Sequence, residues 1–145
     1  MTSRKLQFGY YFAMLHRMVI ARCKQDIMDL GIQVSQIPFI AELIQCDQPV
    51  TQDDLSQSLA IDKSATARAL DQLEKNGFVT RIVNPENRRQ KLVGVTEKTK
   101  AIQDRFLGIL QSTSNVFVQN FSPEEKKQLI DLMNRMLNNA STITS

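Results

Sequence analysis

The sequence predicts a mainly α-helical protein with one small β-hairpin, read as four helices, the hairpin and two more helices. Three observations lead there. Apolar residues return at intervals of three and four over most of the chain, as they do along one face of a helix. The period changes to short β-rich runs only between residues 78 and 95. Five glycines and four prolines in 145 residues are too few for a turn-rich sandwich or barrel.

The first helix is expected over residues 5–29, where Phe8, Tyr11, Phe12, Leu15, Met18, Val19 and Ile27 follow helical spacing. Tyr10, Ala13, Met14 and Ile20 add a second apolar face. At ~1.5 Å per residue such a helix is more than 35 Å long, and a small domain cannot cover it all, so a partner chain is expected to. Gly31 stops it. Ser35 is the expected cap of the second helix, with Pro38 in its first turn and Phe39, Ile40, Leu43 and Ile44 inward. Asp47-Gln48-Pro49 breaks that helix, and Thr51 to Asp54 has capping-box spacing with Asp in place of Glu. A short third helix follows with Leu55 and Leu59 inward, ending at Leu59-Ala60. Asp62 caps a fourth helix that runs to Asn76, with Ala69, Leu70 and Leu73 as its apolar positions and Ala65 and Thr66 one turn earlier, and Gly77 supplies the left-handed end.

Residues 78–83 and 90–95 then read as two strands joined by the polar turn Asn84 to Arg89. Thr96 caps a long fifth helix to about Gln119, with Ile102, Phe106, Ile109, Leu110, Val116 and Phe117 apolar. Ser122-Pro123-Glu124-Glu125 is a strong helix start, with the cap, proline first and glutamate third. The sixth helix carries Leu129, Ile130, Met133, Met136 and Leu137, and the tail from Ser141 to Ser145 is expected to fray.

Composition narrows the function. The chain is the size of one ordinary domain, with 42% hydrophobic and 23% charged residues. A single His and no Trp exclude multi-His metal sites and most His-centred catalysis. There is no nucleophile elbow, no phosphate-binding loop, no dinucleotide fingerprint and no metal set, so an enzyme is not expected, nor a cofactor. Cys23 and Cys46 form no CxxC pair. No apolar run reaches the ~18–20 residues of a membrane span, and His16 and Arg17 interrupt the only signal-like stretch. A cytoplasmic protein with reduced thiols and no membrane partner is the expectation.

The charge is concentrated. Residues 62–100 hold nine basic and five acidic side chains, a local excess of +4 on a chain whose net charge is +3. Such a region points to a polyanion partner. Residues 51–76 have the organisation of a helix-turn-helix; with Leu70 and Leu73 inward, the opposite face of its second helix offers Ser64, Arg68, Gln72 and Lys75 to a DNA groove, and Lys63, Ser64, Ala65, Arg68 and Gln72 are the helix's candidate DNA-binding residues. The free amide groups at the start of that helix suit a phosphate. The hairpin adds Arg81, Asn87, Arg88, Arg89 and Lys91. A basic hairpin beside a recognition helix makes a winged helix, whose tip can reach the minor groove. Arg81 has two roles open to it, a phosphate contact or a local pair.

The run from Asp62 to Phe78, DKSATARALDQLEKNGF, resembles the recognition helix of the MarR family of bacterial regulators. The run from Asn84 to Lys98, NPENRRQKLVGVTEK, resembles that family's wing and the start of its long fifth helix. Helix order and lengths match over nearly the whole chain, and the two motifs at this spacing are more specific than a lone helix-turn-helix. The resemblance implies a winged helix-turn-helix protein of six helices, an interlocked homodimer through the first, fifth and sixth. It implies binding to a pseudo-palindromic duplex DNA operator, usually to repress transcription. The expected division is residues 1–34 and 97–145 for dimerisation and 35–96 for the DNA-binding lobe.

Two departures stand out. The family's wing usually reads Asp-x-Arg, and here Asn87 replaces the acid that orients Arg89. Ala65 and Ala67 stand where the family often has hydroxyls, so specificity leans on Ser64, Arg68 and Gln72 or on DNA shape. Many relatives bind small, often aromatic anions between the dimer core and the DNA-binding lobe, and the first helix would border such a pocket, which makes Tyr10, Tyr11, His16 and Arg17 the candidate effector residues. Two alternatives stay open: a winged-helix dimer that serves as a protein-interaction module, and a regulator that senses oxidants through Cys23 or Cys46.

Overall fold

The computed structural model describes residues 7–143. Among them are six α-helices and a three-stranded antiparallel sheet. The chain divides into two compact units, with the boundary between residues 111 and 112.

The first unit begins with α1, Phe8–Asp29. The expected start at residue 5 lies outside the described residues. Only Cys23 and Ile27 of α1 are buried, whereas Phe8 is 77% exposed and Tyr10, Tyr11, Phe12, Leu15 and Met18 are about half exposed. The helix ends in a Schellman motif: Gly31 at φ +87° donates to the Met28 carbonyl, and Ile32 donates back to Ile27. A short 3-10 turn, Val34–Gln36, leads into α2, Ile37–Ile44. Ser35 lies inside that turn and caps nothing. The Gln33 amide donates to Gln36 Oε1 at 2.9 Å instead, and Gln36 is buried. Glutamine gives little capping signal in a sequence, because its longer side chain has no strong local preference for the role.

Thr51 caps α3, Gln52–Leu59, by accepting from the Asp54 amide at 3.0 Å. The helix-turn-helix bend follows at Ala60, which takes the left-handed conformation at φ 53°. The Ala60 and Ile61 amides donate to Gln57 and Ser56, closing a second Schellman motif with alanine where glycine is usual. Asp62 caps α4, Lys63–Lys75, through the Ala65 amide at 2.7 Å. Gly77, at φ +80°, ends it with the same pair of return bonds.

Strands β2, Val79–Asn84, and β3, Asn87–Val95, form the hairpin. Its turn is tighter than expected, since the strands run on to Asn84 and Asn87 with only residues 85 and 86 between them. A register shift sits between Val83 and Asn84. A strand the sequence does not disclose, β1 at Val50–Thr51, pairs with β3 opposite Val93 and Leu92. Two residues carry no periodicity, so only the tertiary pairing reveals it.

Leu55, Leu70, Leu73, Phe78, Val79, Val93, Ile40, Leu43, Phe39 and Ile27 meet in one core, joined by Phe106 of α5, Glu97–Phe117. Two hydroxyl contacts tie elements together there. Ser56 Oγ donates to Thr66 Oγ1 at 2.8 Å and fixes α3 against α4. Thr99 Oγ1 donates to the Phe78 carbonyl at 2.6 Å and fixes α5 to the end of α4.

The second unit begins at Ser112, in the last turns of α5, which stops at Phe117 rather than near Gln119. Asn120 at φ 67° turns the chain. Ser122 and Glu125 then complete a reciprocal capping box, at 3.1 and 2.9 Å, at the start of α6, Pro123–Ile143. The helix continues past Ser141 instead of fraying there, and residues 144–145 lie outside the described residues. Ile130, Leu132, Met133, Met136 and Leu137 are exposed on α6. No single described helix is long and apolar enough to cross a membrane.

Candidate nucleic-acid interface

The candidate interface is built on α3, α4 and the β2–β3 hairpin. Leu70 and Leu73 bury one side of α4, and Thr66 is pinned by Ser56, so the opposite face must point outward. Ser64, Arg68 and Gln72 are exposed there, Lys63 is exposed at the first position of the helix, and Ala65 is half-buried. Ser64, Arg68, Gln72 and Lys75 fall on one stripe by helical spacing. Arg68 and Gln72 make no side-chain hydrogen bond or ion pair among the described residues. Lys63 is 80% exposed and lies 3.7 Å from Asp53, a solvated pair of little energy. At the N-terminus of α4 the Asp62 carboxylate already occupies the Ala65 amide, so the capacity to bind a phosphate there rests on the earlier amides.

The wing is ordered by its asparagines. Asn84 Oδ1 accepts from the Glu86 amide at 3.1 Å, and Asn84 Nδ2 donates to Gln90 Oε1 at 3.3 Å. Asn87 Oδ1 accepts from the Arg89 amide at 3.2 Å. Asn87 therefore shapes the backbone that carries Arg89 and leaves its guanidinium unpaired. Asn87, Arg88, Arg89 and Lys91 are all exposed, and none of the three cations is in an ion pair among the described residues. These are the properties of side chains available to a polyanion.

Arg81 is different. Its side chain is only 10% exposed, and its guanidinium pairs with Asp71 and with Glu74, the latter at 3.1 Å. Nη1 also donates to Gln52 Oε1 at 3.4 Å. Burial acts to lower its pKa, but the hydrogen bonds and charges of Glu74 and Asp71 outweigh burial and hold it above the ordinary guanidinium value. Of the two roles open to Arg81, the local pair is the one the geometry shows. Its partners Asp71, Glu74 and Gln52 are absent from the candidates that sequence reasoning selects. The available signal is the presence of two acids on the outer half of an otherwise basic segment, which asks for a cation nearby.

Lys98 of α5 holds the end of α4. Its ammonium donates to the Asn76 carbonyl at 2.6 Å and sits 4.3 Å from the centre of the Phe78 ring. It thereby closes the C-terminal end of α4, where a cation complements the helix dipole. Thr96 Oγ1 donates to the Gly77 carbonyl at 2.6 Å beside it.

The candidate effector residues lie along α1. Tyr10 and Tyr11 form an edge-to-face pair with centroids 5.7 Å apart, and His16 and Arg17 are exposed. Elsewhere, a cavity of 440 Å³ opens between the start of α2 and α4, with Phe39, Ile61, Ala65, Arg68 and Gln72 in its walls. Both thiols are pushed above the ordinary cysteine value, Cys23 chiefly by burial and Cys46 by burial and then by the charges of Glu42 and Asp47. No group of three metal-ligating side chains occurs among the described residues.

Residues 40–91 match the model of the MarR family. That span covers α3, α4 and most of the hairpin. The chain is 34% identical over 120 residues to the uncharacterized HTH-type transcriptional regulator YdgJ of Bacillus subtilis, covering 78% of this chain and 68% of that one. The fold matches that of a MarR transcriptional regulator from Methanosarcina mazei with a TM-score of 0.87, at 27% identity and over 93% of this chain and 96% of that one. S. aureus MepR, solved as a DNA complex, shares the fold with a TM-score of 0.82 at 22% identity, over 93% of this chain and 99% of its own. A helix-turn-helix pinned through its core, an asparagine-ordered basic wing and these likenesses meet in one conclusion: the chain belongs to the MarR family of transcriptional regulators.

Proposed function

We propose that the protein is a sequence-specific reader of duplex DNA that works as a homodimer on a pseudo-palindromic operator, in the cytoplasm, to repress transcription. The observation that carries this reading is a set of exposed cations with no ion-pair partner among the described residues, on two adjacent supports: Arg68 on α4 and Arg88, Arg89 and Lys91 on the wing. Lys63, Ser64, Ala65, Arg68 and Gln72 face the major groove, and Arg88 and Arg89 reach the adjacent backbone or minor groove. Residues 35–96 make up the DNA-binding lobe, and residues 1–34 and 97–145 the dimerisation region. S. aureus MepR has this fold and was solved in complex with DNA, which supports a DNA partner here. No catalytic step is part of this function.

The dimer is supported by the apolar side chains that this chain leaves uncovered. Phe8, Phe12 and Leu15 on α1 and Ile130, Leu132 and Leu137 on α6 are each 48% exposed or more. Clustered apolar exposure of that kind on a helix marks an association site. A small aromatic or anionic effector that borders Tyr10, Tyr11, His16 and Arg17 completes the proposal. Its binding is read as a rise in melting temperature with salicylate-like compounds.

Salt dependence of duplex binding tests the function. A DNA reader loses affinity steeply, with log K falling by ~0.9 for each phosphate neutralised. Absence of measurable binding at low salt would assign the fold to protein interaction instead. Peroxide treatment that left DNA binding intact would agree with the raised thiol pKa values, whereas loss of binding reversed by thiols would restore the redox reading.

A further inference from the structure

Arg81 sits on β2, yet its side chain runs back beneath the hairpin to two other elements. Nη2 pairs with Asp71 and with Glu74 on α4, and Nη1 reaches Gln52 at the start of α3. The same Glu74 carboxylate accepts from the Arg81 backbone amide through its other oxygen at 3.1 Å, so one acid holds both the strand and its side chain. Nε is buried without a partner among the described residues, which shows that the reach is made by the two terminal nitrogens alone. Three elements of the lobe are thus tied at a single planar group. Asp71 lies two turns beyond Ser64 on α4 and is itself exposed. An acid there would repel a phosphate backbone unless a cation were held against it.

We propose that Arg81 is a positioning residue: its guanidinium brackets the wing to the recognition helix and to α3, and so sets where Arg88 and Arg89 meet the DNA. This rests on the DNA-reading function proposed above. Arg81 touches no nucleic acid itself. A lysine keeps the charge and one pairing but lacks the planar fork that spans three acceptors.

The test is a double-mutant cycle on the full chain against duplex selected by the wild type. Arg81→Lys is expected to weaken binding about tenfold when the wing is intact, with a shallower salt slope as Arg88 and Arg89 lose their phosphates, and less than twofold with no further change of slope in an Arg88→Ala/Arg89→Ala background. Amide exchange without DNA is expected to quicken along residues 79–95 and to stay unchanged in α2 and α3. Equal losses in the two backgrounds would make Arg81 a direct contact and overturn the bracket, as would faster exchange throughout the lobe or no change in either readout. If Arg81→Lys does not fold, Glu74→Gln cuts the same bracket from the exposed side and is held to the same outcomes. A wild type that binds no duplex would remove the DNA reading, and the exchange measurement would still decide the bracket.

Discussion

Arg68 projects from the exposed stripe of α4 with no partner among the described residues, which leaves its guanidinium available to the proposed operator. We expect Arg68→Ala to narrow the gap between operator and unrelated duplex by ~1–3 kcal/mol, since a good base contact is worth that much. Arg89→Ala should instead weaken all duplexes alike and lower the salt slope, because a wing cation neutralises phosphate. Parallel titrations of the two variants on both duplexes check this, and equal behaviour on both would contradict the assignment of Arg68. At Ala60 the prediction concerns stability. An alanine in the left-handed region costs about 1 kcal/mol relative to glycine, partly offset by the greater unfolded freedom of glycine. Ala60→Gly should therefore raise the melting temperature slightly, read by thermal unfolding. Caps with short polar side chains are legible in the amino-acid sequence, as Thr51, Asp62 and Ser122 show. The role of Ser35 is not, because a serine shortly before a proline looks the same in a cap and in a 3-10 turn. The bracket at Arg81 is equally hidden, since its partners come from positions 52, 71 and 74 and only folding brings them together.

The helix-turn-helix owes its fixed angle to more than apolar packing. Ser56 and Thr66 face each other across α3 and α4, both buried, with their hydroxyls 2.8 Å apart. Removing only one hydroxyl leaves the other unsatisfied, so Ser56→Ala should cost about 1–3 kcal/mol of stability in denaturant unfolding. Ser56→Ala with Thr66→Val should recover part of that loss, and an additive loss would show that the pair is not coupled. The hairpin shows how far periodicity reaches. Its strands are visible as β-rich runs, but their full length is not, because Asn84 and Asn87 are turn formers by composition and strand residues by pairing. β1 is invisible for a different reason, being only the two residues Val50 and Thr51 held by β3.

At the scale of the whole molecule, the apolar faces of α1 and α6 and the basic face of α4 and the wing make different demands. In the function proposed above, a second copy meets the first and a polyanion the second. Leu15→Glu on α1 should lower the sedimentation mass to that of a monomer, and should weaken operator binding far more than a single lost contact because two half-sites are then no longer read together. A Leu15→Glu protein that stays dimeric would move the interface away from α1. The long apolar first helix announces this demand in the sequence, since no domain of this length could cover it. What covers it cannot be read from one chain, because the covering side chains belong to whatever docks there.

Selection of bound duplexes from a random pool tests the central claim most directly. We expect enrichment of a two-fold symmetric site whose half-site centres lie about 34–36 Å apart, one turn of B-DNA, as a dimer presenting two recognition helices requires. A pool that emerges unenriched, or that enriches a single asymmetric site with no second half, would contradict it.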